Sequence, residues 1–210
     1  MKRMLTMIAV SLLAGLGGVA ESHAGAWELT PFYGYRFGGD FNKIPNSEVT
    51  DIDIKSSDVY GLTLGYAFND NFELEGIWSR QDSDVTLSFQ SRPSETSGIT
   101  VDYYHVGGLL LSGDNLDTKR AFFSFSAGAV TFNPDLASSE TYFSWSIGGG
   151  GKFYFNDVIG IRLQGRFFPT YINSSRSGGW CNIYGCYQTY SSNWVTQTEF
   201  TVGLIFRFGY

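Results

Sequence analysis

The chain has 210 residues and a net charge of −6, and its aromatic residues (17%) outnumber its charged ones (16%). The length suits a single domain, and the acidic balance excludes a nucleic-acid partner, which selects for a basic surface. Ordinary soluble domains carry about 25% charged residues, so this aromatic weight points to an apolar environment.

The first element is "MKRMLTMIAVSLLAGLGGVAESHAGA". Lys2 and Arg3 precede an apolar run from Met4 to Ala20, and Ser22 and Ala24 form a small-x-small exit. These are the three parts of a secretory signal peptide. Residues 1–24 are expected to be removed by cleavage after Ala24, leaving residues 25–210 as one exported domain. No cysteine lies near the cut, so no lipid anchor is expected there. No later apolar run is long enough for a helix across a bilayer.

Beyond the cut, side chains alternate apolar and polar in segment after segment, the period of a β-strand. "WELTPFYGYRF" sets Trp27, Leu29, Tyr33, Tyr35 and Phe37 against Glu28, Thr30, Gly34 and Arg36. "YGLTLGYAF" sets Tyr60, Leu62, Leu64, Tyr66 and Phe68 against Gly61, Thr63, Gly65 and Ala67. "FELEGIWSR" opposes Phe72, Leu74 and Trp78 to Glu73, Glu75 and Ser79. "VDYYHVGGLLL" has apolar side chains on both faces and does not reveal its facing. "AFFSFSAGAVTF" alternates around Ser124, Ser126 and Gly128. "YFSWSIGGGGKFYF" and "IGIRLQGRFFPTY" place Lys152, Arg162, Gln164 and Arg166 on polar faces. The eighth segment, from about Trp194, has Glu199 and Arg207 on its polar face and ends "TVGLIFRFGY".

Long polar connections are expected at Gly39–Ser57, Asp82–Ile99 and Asn173–Asn193, with a shorter one at Asn133–Ser139. Short turns are expected at Asn69–Asn71, Ser112–Thr118 and Asn156–Asp157. The Asn-Asp turns in "GYAFNDNFELEG" and "KFYFNDVIGIRLQG" suggest two hairpins of the same build. The run Gly148–Gly151 is read as a coil or bulge in a tightly curved strand, with neighbouring aromatics covering the gaps. Cys181 and Cys186, in "WCNIYGC", are expected to form a disulfide within the last long connection, because an exported chain meets an oxidising compartment.

Lipid offers no partner to a free backbone N–H or C=O, so a sheet can span a bilayer only when closed. A tilted strand needs about 9–11 residues to cross, and these segments have that reach. The expected fold is all-β: an eight-stranded antiparallel up-and-down transmembrane β-barrel with long extracellular loops and short periplasmic turns. Aromatic residues near the short turns, among them Trp27, Tyr66, Phe68, Phe72, Phe155 and Phe208, would form an interfacial girdle. The polar faces then carry Glu28, Arg36, Glu73, Glu75, Lys152, Arg162, Arg166, Glu199 and Arg207 into a narrow lumen that side chains can fill. Strands three and seven face each other, so Glu73 and Glu75 are expected to meet Arg162 and Arg166. Strand eight closes on strand one, bringing Arg207 near Glu28 and Glu199 near Arg36.

The terminal aromatic Tyr210, with Phe208, Phe206, Leu204 and Val202 at alternate positions behind it, resembles the carboxy-terminal signal of outer-membrane barrels. The whole exported segment is similar to the small OmpA/OmpX-like barrel superfamily. The resemblance implies that the assembly machinery of the outer membrane reads the last strand during insertion. It implies a Gram-negative outer-membrane location, contact with outer-membrane lipid and lipopolysaccharide, and a monomer. Unlike full-length OmpA, the sequence shows no peptidoglycan-binding domain after the barrel, so no anchoring to the wall is expected.

The resemblance extends to small barrels that modify lipid A. The deacylase kind places a histidine and a serine two residues apart on one strand face, and the palmitoyl-transfer kind needs a buried lipid slot. His105 is followed two residues on by Gly107, so no serine stands where the deacylase arrangement needs one. In the exported segment, one histidine and a Cys-x4-Cys without further ligands do not suggest a metal site. No cofactor is expected, and no enzyme activity. The expected role is structural or surface-interacting, with the lumen plugged by charge. The alternatives are a narrow OmpW-like channel for small hydrophobic molecules and, less favoured, a lipid A-modifying enzyme. A charge-rich interior favours the first, and a continuous apolar tunnel would favour the channel. The sequence names no partner for the loops.

Overall fold

Strict alternation builds strands, and a computed structural model of the chain assembles them into a closed barrel. It describes residues 25–39, 49–89, 95–112, 118–135, 139–172, 180–182, 185–187 and 193–209. The expected signal peptide, its cleavage site at Ala24, and Tyr210 lie outside the described residues. The strands are β1 (Trp27–Gly38), β2 (Val49–Ile54), β3 (Ser57–Asn69), β4 (Phe72–Phe89), β5 (Glu95–Leu111) and β6 (Lys119–Pro134). They continue with β7 (Glu140–Tyr154), β8 (Ile159–Ile172), β9 (Trp180–Asn182), β10 (Gly185–Tyr187) and β11 (Asn193–Phe208).

Eight of these strands form the wall, in the order β4-β3-β1-β11-β8-β7-β6-β5, and β4 pairs with β5 to close the ring. Every pairing is antiparallel, and the eight wall strands follow one another around the ring in chain order until β11 closes on β1. In that closure Trp27 lies opposite Phe208, Glu28 opposite Arg207, and Arg36 opposite Glu199.

One end of the barrel carries tight turns. Asn69 Oδ1 accepts from the backbone N–H groups of Asn71 (2.9 Å) and Phe72 (2.8 Å). Asn156 Oδ1 accepts in the same way from Val158 (2.9 Å) and Ile159 (2.7 Å). Both asparagines replace a missing ladder bond with a side-chain acceptor, which is how this residue makes a turn.

The other end differs from the sequence reading. Residues 82–99 were expected as a loop, but most of them extend β4 and β5, with Asp82 opposite Thr100 and Thr86 opposite Thr96. Strand β2, inside the expected connection 39–57, pairs with this extension of β4, and β9 and β10 form a small hairpin inside 173–193. The physical reason lies on the outer face. There Asp82 and Asp84 are exposed, Thr100 donates to Asp82 (2.8 Å), and Lys55 pairs with Asp84 (3.2 Å). A strand bathed in water on its outer face has no apolar stripe to announce it.

The glycine run in β7 forms no bulge, since both flanking ladders pass through it in register, and its role is close approach. A Cβ on Gly150 would lie 2.0 Å from the carbonyl oxygen of Leu163, and one on Gly148 would lie 2.5 Å from that of Gly165. Only glycine permits β7 and β8 to approach this closely. Outside, the rings of Phe153 and Phe200 cover Gly151 and Gly165.

Candidate functional site: the charged lumen

The interior begins as a consequence of alternation: each residue facing lipid sends its neighbour inward. Phe123, Phe125, Phe143, Leu163, Val202, Leu204, Phe206 and Phe208 are exposed on the outer face. All nine sequence-derived charges are in the lumen, and eight of them are almost completely buried; Arg207, at the turn end, retains slight exposure. The segment of undecided facing, now in β5, turns Tyr103, His105 and Leu109 inward and Tyr104, Val106 and Leu110 outward.

Near the tight turns the network centres on Lys152 of β7. Its Nζ donates to Glu28 (2.5 Å) on β1 and to Glu73 (2.6 Å) on β4, bridging the lumen. Tyr154 donates its hydroxyl to Glu28 (2.6 Å), and Arg207 donates from Nε and Nη2 to the same oxygen (3.0 and 2.9 Å) while lying 4.0 Å from the Tyr154 ring centre.

Further along, Glu75 accepts two bonds from Arg162 and a third from Arg166 (3.3 Å). Beyond them Arg36 donates to Glu199 from Nε (3.1 Å) and Nη2 (2.5 Å), and to Ser79 (2.7 Å). Glu73 and Glu75 were expected to share the two arginines. Instead Glu75 takes both, and Glu73 turns to Lys152.

Three features of the interior were not foreseen. A hydroxyl chain runs from His105 Nδ1 to Ser126 (3.0 Å) and on to Ser146 (2.6 Å), serines on neighbouring strands that supply what Gly107 does not. A Ser–His pair acts as a nucleophile only with access to substrate and a group that orients the ring. Here the ring packs against Tyr103 and Phe168, and its Nε2 has no partner among the described residues. The loop end of the lumen is filled by an apolar cluster that includes Ile54, Val85, Val101, Val130, Phe132 and Val195. A smaller cluster of Leu109, Leu111 and Phe122 sits apart from it. The sequence signal for the first cluster was present in the β4 and β5 extensions, hidden among polar neighbours.

Cys181 and Cys186 are direct cross-strand partners in the β9–β10 register, although their side chains lie outside the described part of the structure. Opposed positions on an antiparallel pair are close enough for a disulfide with small adjustment. The exported protein is expected to contain no free thiol, and alkylation followed by mass spectrometry checks this. Two alkylated cysteines would overturn it. So small a ring adds only about 2 kcal/mol by the chain-entropy model, so Cys181→Ser should still fold.

A closed antiparallel wall, apolar outside and filled with paired charge inside, is the construction of a protein that crosses a bilayer with strands. The description of the outer membrane protein beta-barrel domain matches residues 9–208, and the chain belongs to that family. Among solved structures it is similar to neisserial surface protein A (NspA), with a TM-score of 0.54 and 10% identity over 89% of this chain and 100% of the other. It is also similar to the outer membrane protein OprG from Pseudomonas aeruginosa, with a TM-score of 0.59 and 14% identity over 88% of this chain and 96% of the other. At such identities the likeness is one of fold. No curated protein matches the chain.

Proposed function

We propose that this outer-membrane barrel serves a structural or surface-interaction role, with its lumen closed by side chains rather than open to solutes. The observation that carries the reading is Lys152, which is 0% exposed and bonded at once to Glu28 and Glu73 on two other strands. A solute would have to break this bridge and the Glu75–arginine group beyond it, leaving buried charges unpaired. The apolar residues at the loop end are what a channel for small hydrophobic molecules would need, but they pack against one another and are nearly all inaccessible. On this reading the tight turns face the periplasm, and the β4–β5 extension and the β9–β10 hairpin stand outside. Lipopolysaccharide surrounds the wall, and the protein acts as a monomer without enzymatic activity.

Purified protein refolded into a planar bilayer tests the closed lumen. Silence or brief, small current steps are expected. Stable, large, porin-like conductance would overturn it.

A further inference from the structure

The buried charges of the lumen fall into two groups that balance differently. Toward the tight turns, Lys152 and Arg207 stand against Glu28 and Glu73, two cations for two anions, while the buried Arg120, opposite Lys152 on β6, donates to the backbone carbonyls of Ser112 and Asp70. In the middle, Arg36, Arg162 and Arg166 stand against Glu75 and Glu199, three cations for two anions. Glu75 is shared, so among the described residues this group keeps one positive charge in excess.

The same group holds polar atoms without partners: Arg36 Nη1, Arg162 Nε, Arg166 Nε and His105 Nε2. Their residues are only 0%, 4%, 3% and 2% exposed, so bulk water does not serve them. Three of the four gather around one ring. The guanidinium carbons of Arg36 and Arg166 lie 5.3 and 5.9 Å from the centre of Phe168, and the His105 ring lies 5.6 Å from it. Arg36 also lies 4.6 Å from the centre of Tyr103, whose ring is 5.5 Å from that of His105. Arg162 rests instead on Phe122, at 4.7 Å.

A water molecule could accept from these donors, but it could not offset a buried net charge, which costs far more than a lost hydrogen bond. We infer that the middle of the lumen binds one small inorganic monoanion, of the size of chloride, between Arg36, Arg166 and His105. One negative charge balances the group. A dianion such as sulfate would leave the group with one negative charge in excess. In the tautomer in which Ser126 donates to His105 Nδ1 (3.0 Å), the ring proton is on Nε2, which then serves as the third donor. The site rests on the closed-lumen reading, since an open lumen would screen the excess charge with bulk ions.

The test is refolding from urea into detergent micelles in sodium gluconate, with gluconate then replaced by chloride at fixed ionic strength. The urea midpoint should rise with the logarithm of chloride concentration once the site fills. Bromide should act in the same way, and sulfate should not. Arg166→Gln removes the excess charge while leaving Glu75 with Arg162, and it should lose the chloride dependence. An equal wild-type midpoint in chloride and gluconate overturns the inference, as does an unchanged chloride dependence in Arg166→Gln. Should that variant not refold, wild-type crystals grown in bromide decide the matter. An anomalous peak between Arg36 and Arg166 supports the site, and its absence overturns it. The two readings fail separately: porin-like conductance removes the closed lumen, whereas a silent barrel with anion-independent stability removes only the anion.

Discussion

Replacing Lys152 with methionine is expected to destabilise the barrel by about 3–5 kcal/mol, the range for breaking a buried ion pair from one side. The ammonium group is the only cation bonded to Glu73 among the described residues, whereas Glu28 keeps Arg207 and Tyr154. After Lys152→Met, Glu73 remains buried on β4 with its desolvation cost and no counter-charge. Adding Glu73→Gln removes that lone charge, so the double variant should recover most of the lost stability. Reversible urea unfolding in micelles, run as a double-mutant cycle, measures both steps. A double variant as unstable as Lys152→Met would sink the explanation, because the harm would then come from packing and not from charge. The same pair of variants bears on the closed lumen. The single variant should raise bilayer conductance if Lys152 is the narrowest barrier.

The second large effect is expected in cells and not in the test tube. Val202, Leu204, Phe206 and Phe208 all face outward on β11, the strand that closes the wall by pairing with β1 on one side and β8 on the other. Phe208 stands at the turn end opposite Trp27. Aspartate at such an interfacial depth costs ~1 kcal/mol or less directly, so purified Phe208→Asp should refold nearly as well as the wild type. In cells the variant should reach the outer membrane at a small fraction of the wild-type level, because the proposed recognition of the last strand by the assembly machinery is lost. Heat-modifiable gel mobility of outer-membrane fractions, beside the same assay on refolded protein, separates the two effects. Equal abundance in cells would rule out the recognition role. Equal loss in both assays would assign the effect to the fold itself.

Much of this molecule follows from alternation and chain order. Because the side-chain period of a strand is two, each outward phenylalanine or leucine assigns its neighbour to the lumen, and that put Glu28, Lys152 and Arg166 inside. Because the strands pair in order and the last must close on the first, counting from both ends sets Glu28 opposite Arg207 and Arg36 opposite Glu199. These relations are local, or belong to one ladder, so a one-dimensional pattern carries them.

Contacts across the lumen do not have that property. They depend on how far each strand is staggered around the ring and on side-chain reach, which is why Glu75 gathers both arginines and Glu73 goes to Lys152. The facing of β5 was hidden for a related reason: its inward positions carry Tyr103 and Leu109, as apolar as the outward Tyr104 and Leu110. The extensions of β4 and β5 escaped notice because alternation is visible only where one face meets lipid. Beyond the lipid the outer face turns polar, and Val85, Ile99 and Val101 read as isolated apolar residues until the barrel brings them together. Sequence by itself determined the closed wall and the inward charges. Only the tertiary structure decided which charges meet, which cation is left over, and what fills the lumen at its far end, because those depend on distances around a ring that no linear spacing records.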